Sequence, residues 1–262
     1  MSMTLILKNV KETLSLKFKS SEFVEKSAKF AIFVFSFTFV ISNLIAMNFG
    51  NKNYVPFLNV VSHLGVNEFN PLYFMFDFAS IITGLSLMPF SFYLLHIIKT
   101  QTEENRIIKN YKSIRICTHI AFLSSIAANI GFIGCGVFSL DRNFLGIHDY
   151  SAGIILLGFT FLTFSMGLLI IRYRVKIPSL FGICGFLTAF IFLFIYMIFI
   201  FTNFIIAPVY EWIWLFSVIC WTWILIFYVL NKAEFFKNHI FIHTYINERQ
   251  FRKKKRIKFE FD

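Results

Sequence analysis

At 262 residues, with 57% hydrophobic and only 15% charged side chains, the chain is more apolar than an ordinary soluble domain, which runs at about 45–50%. Thirty-eight phenylalanines and a mean hydropathy of +0.70 place it in the membrane class and leave no room for a second soluble domain. The net charge of +11 does not imply a nucleic-acid partner, because the charges sit in the gaps between apolar runs, where cytoplasmic membrane flanks explain them.

Residues 1–29 carry Lys8, Lys11, Lys17, Lys19, Lys26 and Lys29 with neither an apolar core nor a small-residue cleavage site, so they are not read as a secretory signal peptide. They are expected to form a cytoplasmic basic segment, either an amphipathic helix on the inner leaflet or a solvated tail. Six apolar runs follow, at roughly 30–49, 72–98, 114–138, 149–171, 179–203 and 211–230. Each is long enough for a hydrocarbon core that needs about 20 residues. Pro89 predicts a kink in the second. The expected fold is an all-α membrane protein with six transmembrane helices over 30–230, followed by a basic tail, 231–262.

Of the 25 Lys and Arg residues, 23 fall in the N-terminal segment, 99–115, 172–176 and 231–262; the other connections hold only Lys52 and Arg142. By the positive-inside rule this asymmetry predicts that the N-terminus and C-terminus are both cytoplasmic. The run Arg252-Lys253-Lys254-Lys255-Arg256 is expected either to meet anionic inner-leaflet lipid, at about 1 kcal/mol per basic residue, or to act as a topology determinant alone. Cys117, Cys135, Cys184 and Cys220 all lie inside apolar runs without metal-ligand spacing and are expected to be buried small hydrophobes.

The third and fourth runs form a hairpin rich in small residues: Gly131, Gly134 and Gly136 close one, Gly153 and Gly158 open the other. Small residues let membrane helices approach closely. Contact is expected through Ala127, Gly131, Gly134, Gly153 and their neighbours. The tip between the runs carries Asp141, Arg142, His148 and Asp149.

Asp77 lies about five residues into the second run, about 8 Å below its boundary. A carboxylate at that depth needs a partner, and Ser80 and Gly84 on the same face predict that it points into the bundle. Arg142, in the short hairpin loop, is the expected counter-charge. Asp149 suits the positive end of the fourth helix, as a cap or in its first turn, which leaves His148 to meet Asp77, Glu211 or a ligand. Glu211 marks the start of the last helix, and Trp212 and Trp214 after it read as an interfacial aromatic pair. Asp77, His148, Asp149 and Glu211 thus stand near one membrane level. An outward-facing polar pocket for a lipid headgroup is expected there, with Asp141, Arg142, Ser62 and His63 around it. His63, Asp77, His148 and Glu211 are residue types that ligate zinc, but no local ligand motif joins them, so neither a metal nor any cofactor is assigned.

Ser62-His63-Leu64-Gly65 ahead of Pro71, Ile147-His148-Asp149-Tyr150-Ser151-Ala152 entering the fourth span, and Glu211-Trp212 opening the sixth recur in one order on one side. This pattern, over about 30–235, resembles the damage-regulated autophagy modulator family, whose superfamily includes the Sfk proteins and the post-GPI-attachment lipid-remodelling proteins. The resemblance implies a non-enzymatic membrane protein that binds or organises lipid, or regulates trafficking and autophagy, in an endomembrane (lysosome or Golgi) or the plasma membrane. His63 stands where the family usually has an acid, Leu72 follows Pro71 where an acid is common, and Ser151-Ala152 replaces Gly-Ala. His148, Asp149 and Glu211 match the family pattern. The alternative is a membrane-embedded lipid hydrolase or acyl-transfer enzyme with His148 as base and Asp77 and Glu211 orienting it; a channel or transporter comes third.

Overall fold

The computed structural model describes residues 16–104, 111–173, 175–202 and 208–231. Most of them belong to six long helices: α1 (Ser21–Phe49), α2 (Tyr73–Glu104), α3 (Tyr111–Val137), α4 (Ile147–Arg172), α5 (Ser179–Thr202) and α6 (Pro208–Leu230). No strand occurs among the described residues. Each helix is long and apolar enough to cross a bilayer, the architecture of a multi-pass integral membrane protein.

Helices α1 to α5 pack side by side in chain order, and α6 closes the bundle against α1, α4 and α5. The 50–72 and 138–146 connections therefore share one end, called here the loop end. Helix α4 is central: 61% of its most apolar window is buried, against 22% for α5, whose phenylalanines face outward.

The seam between α3 and α4 is built backbone to backbone. A Cβ placed on Gly131 would stand 2.8 Å from the Ser151 carbonyl oxygen, and one on Gly158 would stand 2.8 Å from that of Ser124. One of the expected contacts is corrected: a Cβ on Gly153 would meet nothing within 4 Å, whereas the Cβ of Ala128, fully buried, stands 2.9 Å from the point a Cβ on Gly158 would take. The cause is helical phase: Ser151, Ile155 and Gly158 share one face of α4, and Gly153 lies round the helix from them. Between α2 and α3, Ser91 and Ser125 join hydroxyls at 2.6 Å and Asn129 Nδ2 donates to Ser91 Oγ at 3.1 Å, satisfying polar groups deep in the span.

Helix α1 starts at Ser21, before the apolar run, because Glu22–Lys26 and Glu25–Lys29 pair one turn apart along its exposed face. Residues 21–29 are thus its first turns. Helix α2 continues through Pro89 to Glu104. Cys184 and Cys220 are exposed on the bundle surface rather than buried, a second correction. A third concerns Trp212 and Trp214, 3% and 2% exposed: they lie inside the bundle, not in an interfacial belt. Their indole N–H groups find internal acceptors, the Asn59 carbonyl at 2.7 Å and Thr160 Oγ1 at 2.8 Å, which is what permits the burial. The basic run 252–256, Lys8 and Lys11 lie outside the described residues.

Candidate functional site

The first connection is pinned across the loop end. Asn70, fully buried, donates from Nδ2 to the Leu64 carbonyl (2.8 Å) and accepts from the Leu72 N–H (3.0 Å). Asp141 Oδ2 accepts the Asn67 N–H at 2.7 Å, tying this loop to the hairpin tip. Lys52 pairs with Glu68 within the loop.

The hairpin tip turns into α4 through Leu145 and Gly146, at φ +51° and +72°. Left-handed backbone suits the glycine, so the turn is directed by Gly146 with Leu145 carried along. Asn143 then serves the helix start: its Oδ1 accepts the His148 N–H at 2.9 Å, and its Nδ2 donates to Asp149 Oδ2 at 2.9 Å. Asp149 sits in the positive first turn rather than capping it. Asn143 was not identified as a site residue from the sequence, since an amide five residues ahead of its target N–H follows no standard cap spacing.

His148 is 5% exposed. Its Nδ1 lies 2.7 Å from the Phe138 carbonyl oxygen, which can only accept, so Nδ1 carries the proton. In the neutral ring Nε2 is then the acceptor, and it is buried without a partner among the described residues. Asp77, 5% exposed, meets Arg142 Nη2 at 2.7 Å, with the guanidinium reaching in from the half-exposed tip. Gly65 leaves the room for this carboxylate: a Cβ there would stand 2.7 Å from Asp77 Oδ1. Glu211, in the first turn of α6, accepts the Val61 N–H at 3.2 Å and has no cationic partner among the described residues.

These elements enclose a half-open cavity of about 420 Å³. Phe35, Phe132, Ile155, Trp214 and Leu215 form much of its apolar wall; Ser62, His63, Asp77, His148, Asp149 and Glu211 supply polar groups. Asp141 and Arg142 do not line it. His63 stacks flat on Phe69 at 4.2 Å, and burial together with nearby Lys52 holds its imidazole below the ordinary value. The Tyr54 hydroxyl is pushed up by burial and by the Glu211 charge.

Among the described residues, no three His, Cys, Asp or Glu side chains are placed to hold a metal ion. His148 Nε2 bonds no described hydroxyl or thiol. Ser80 Oγ donates instead to the Phe76 carbonyl at 3.0 Å, and Cys135 Sγ to the His148 carbonyl at 3.9 Å. What the site offers is a buried hydrogen-bond acceptor, an uncompensated carboxylate and an aromatic wall beside a space open to entry. Compared with known proteins, the chain matches no family model, no curated protein and no solved structure.

Proposed function

We propose that the protein is a non-enzymatic, lipid-binding membrane protein that takes the polar end of a membrane amphiphile into the loop-end cavity. One observation carries this reading: His148, whose Nε2 is buried and unpartnered among the described residues, is part of the wall of a half-open and otherwise mostly apolar cavity. An unsatisfied buried acceptor costs about 1–3 kcal/mol, and a ligand that donates a hydrogen bond would recover it. The volume falls within the usual range for ligand sites, about 300–1,000 Å³, enough for a headgroup and its first carbons. The positive-inside bias supports an extracytoplasmic position for the cavity. The family resemblance supports the same class of function. The hydrolase reading has its imidazole, but no described hydroxyl or thiol is bonded to it for activation.

The test is photo-crosslinking of the full chain in nanodiscs with a lipid bearing a diazirine near its headgroup, followed by peptide mapping. Labels are expected in 132–156 and 208–215, and Ala152→Phe, which fills the cavity from its wall, should remove them. Labels confined to the outward faces of α1 and α5, and indifferent to Ala152→Phe, would overturn the reading.

A further inference from the structure

We infer that the headgroup this cavity selects is a protonated primary amine. The inference rests on the lipid-binding reading and specifies its ligand.

Three carboxylates line the cavity, and no lysine or arginine does. Arg142 compensates Asp77 from outside the lining, and Lys52 pairs with Glu68 in the loop. Asp149 is held by Asn143 and the start of α4. Glu211 has only the Val61 N–H and the positive end of its own helix. His63, held below its ordinary value by burial and Lys52, adds no positive charge at neutral pH. A phosphate would therefore enter against like charge with no cation to meet it, whereas an ammonium would supply the counter-charge Glu211 lacks.

The second strand of the argument is independent of charge. With Nδ1 donating to the Phe138 carbonyl, the neutral form of the His148 ring presents Nε2 as an acceptor only. A primary ammonium carries N–H donors of the kind this nitrogen accepts as well as the positive charge that Glu211 can meet. A quaternary ammonium brings the charge but no N–H, so it satisfies Glu211 alone. Phe35, Phe132 and Trp214 in the wall favour a cation over an anion as well.

The experiment measures binding of four short amphiphiles to the full chain in nanodiscs by native mass spectrometry, against empty nanodiscs to correct for partitioning. The probes are decylamine, decyltrimethylammonium, decanol and decyl phosphate. Decylamine should bind at least about tenfold tighter than each of the others, a difference of about 1.4 kcal/mol. Glu211→Gln, which keeps an acceptor for the Val61 N–H, should erase the preference over decanol. If Glu211→Gln does not fold, the ranking of the four probes on the unmodified chain decides. Decyl phosphate binding as tightly as decylamine, or an amine preference surviving Glu211→Gln, overturns the inference. Binding that Ala152→Phe abolishes, but that shows no preference for the amine, refutes the ammonium and leaves the lipid-binding reading standing. Binding indifferent to Ala152→Phe removes both.

Discussion

Gly131 on α3 and Gly185 on α5 lack the same methyl group for different neighbours. At Gly131 the missing Cβ admits the backbone of α4, with Ser151 and Ile155 main-chain atoms 2.8 and 3.0 Å from where it would stand. At Gly185 it admits a ring: Trp221 Nε1 lies 2.6 Å from the corresponding point. That indole stacks on Phe181 at 4.6 Å and donates to the Phe181 carbonyl at 3.0 Å. The first seam brings two helices together and leaves nothing between them. The second holds α6 off by large side chains, so its closure depends on how completely those side chains fill the gap. The cavity lies apart from that second seam: helices α1 to α4, the first connection and the first turns of α6 wall it, and no α5 residue among those described lines it.

The largest effect should come from emptying the side-chain seam. Trp221→Ala removes a stacked, hydrogen-bonded ring and should destabilise the protein by about 3–5 kcal/mol, read as a lowered unfolding midpoint in detergent. Gly131→Leu attacks the backbone seam instead. It should cost about 1–3 kcal/mol through overpacking and reduce folded yield; a neutral result would mean α3 and α4 can separate, and the contrast between the seams would fail. Asn143→Ala removes the acceptor for the His148 N–H and should cost about 0.5–2 kcal/mol while leaving both seams intact.

A smaller effect is expected from His63. Its folded value lies below its ordinary 6.5, so the folded protein binds fewer protons than the unfolded chain across that interval. Its contribution to stability is complete above the ordinary value and is lost as pH falls towards the folded one. Unfolding midpoints measured between about pH 8 and pH 5 should show this decline, and His63→Gln should flatten it. Smallest of all, Gly153→Ala should stay within about 0.5 kcal/mol of the parent, because its Cβ enters open space. A large cost there would put Gly153 back in the seam.

The six spans were legible because bilayer thickness writes itself into run length, and most helix ends agreed to within a few residues, although α2 runs past its apolar run at 98 to Glu104. The start of α1 was not, since hydropathy stops at the last lysine while a helix held by i,i+4 ion pairs does not. Residue types at one membrane level made Asp77, His148, Asp149 and Glu211 readable as neighbours, and all four line one cavity. Facing was harder. Gly153 differs from Gly158 only in helical phase, which composition does not carry. The inward turn of Trp212 and Trp214 depends on acceptors contributed by Asn59 and Thr160, far away in the chain. Asn143 escaped notice for a similar reason, its role being set by the left-handed turn that follows it.

The first two residues of α6 that face the loop end both grip the first connection: Glu211 holds the Val61 N–H and Trp212 the Asn59 carbonyl, across 150 and 153 residues of chain. A ribosome makes the chain from its N-terminus, so the 50–72 segment emerges long before these partners exist. The cavity therefore cannot close before α6 is in place. Until the final span is inserted, the backbone at 59–61 lacks both of its clamps and Asp77 and His148 face an unclosed bundle, and a chain truncated before α6 would carry all five preceding helices with no site between them.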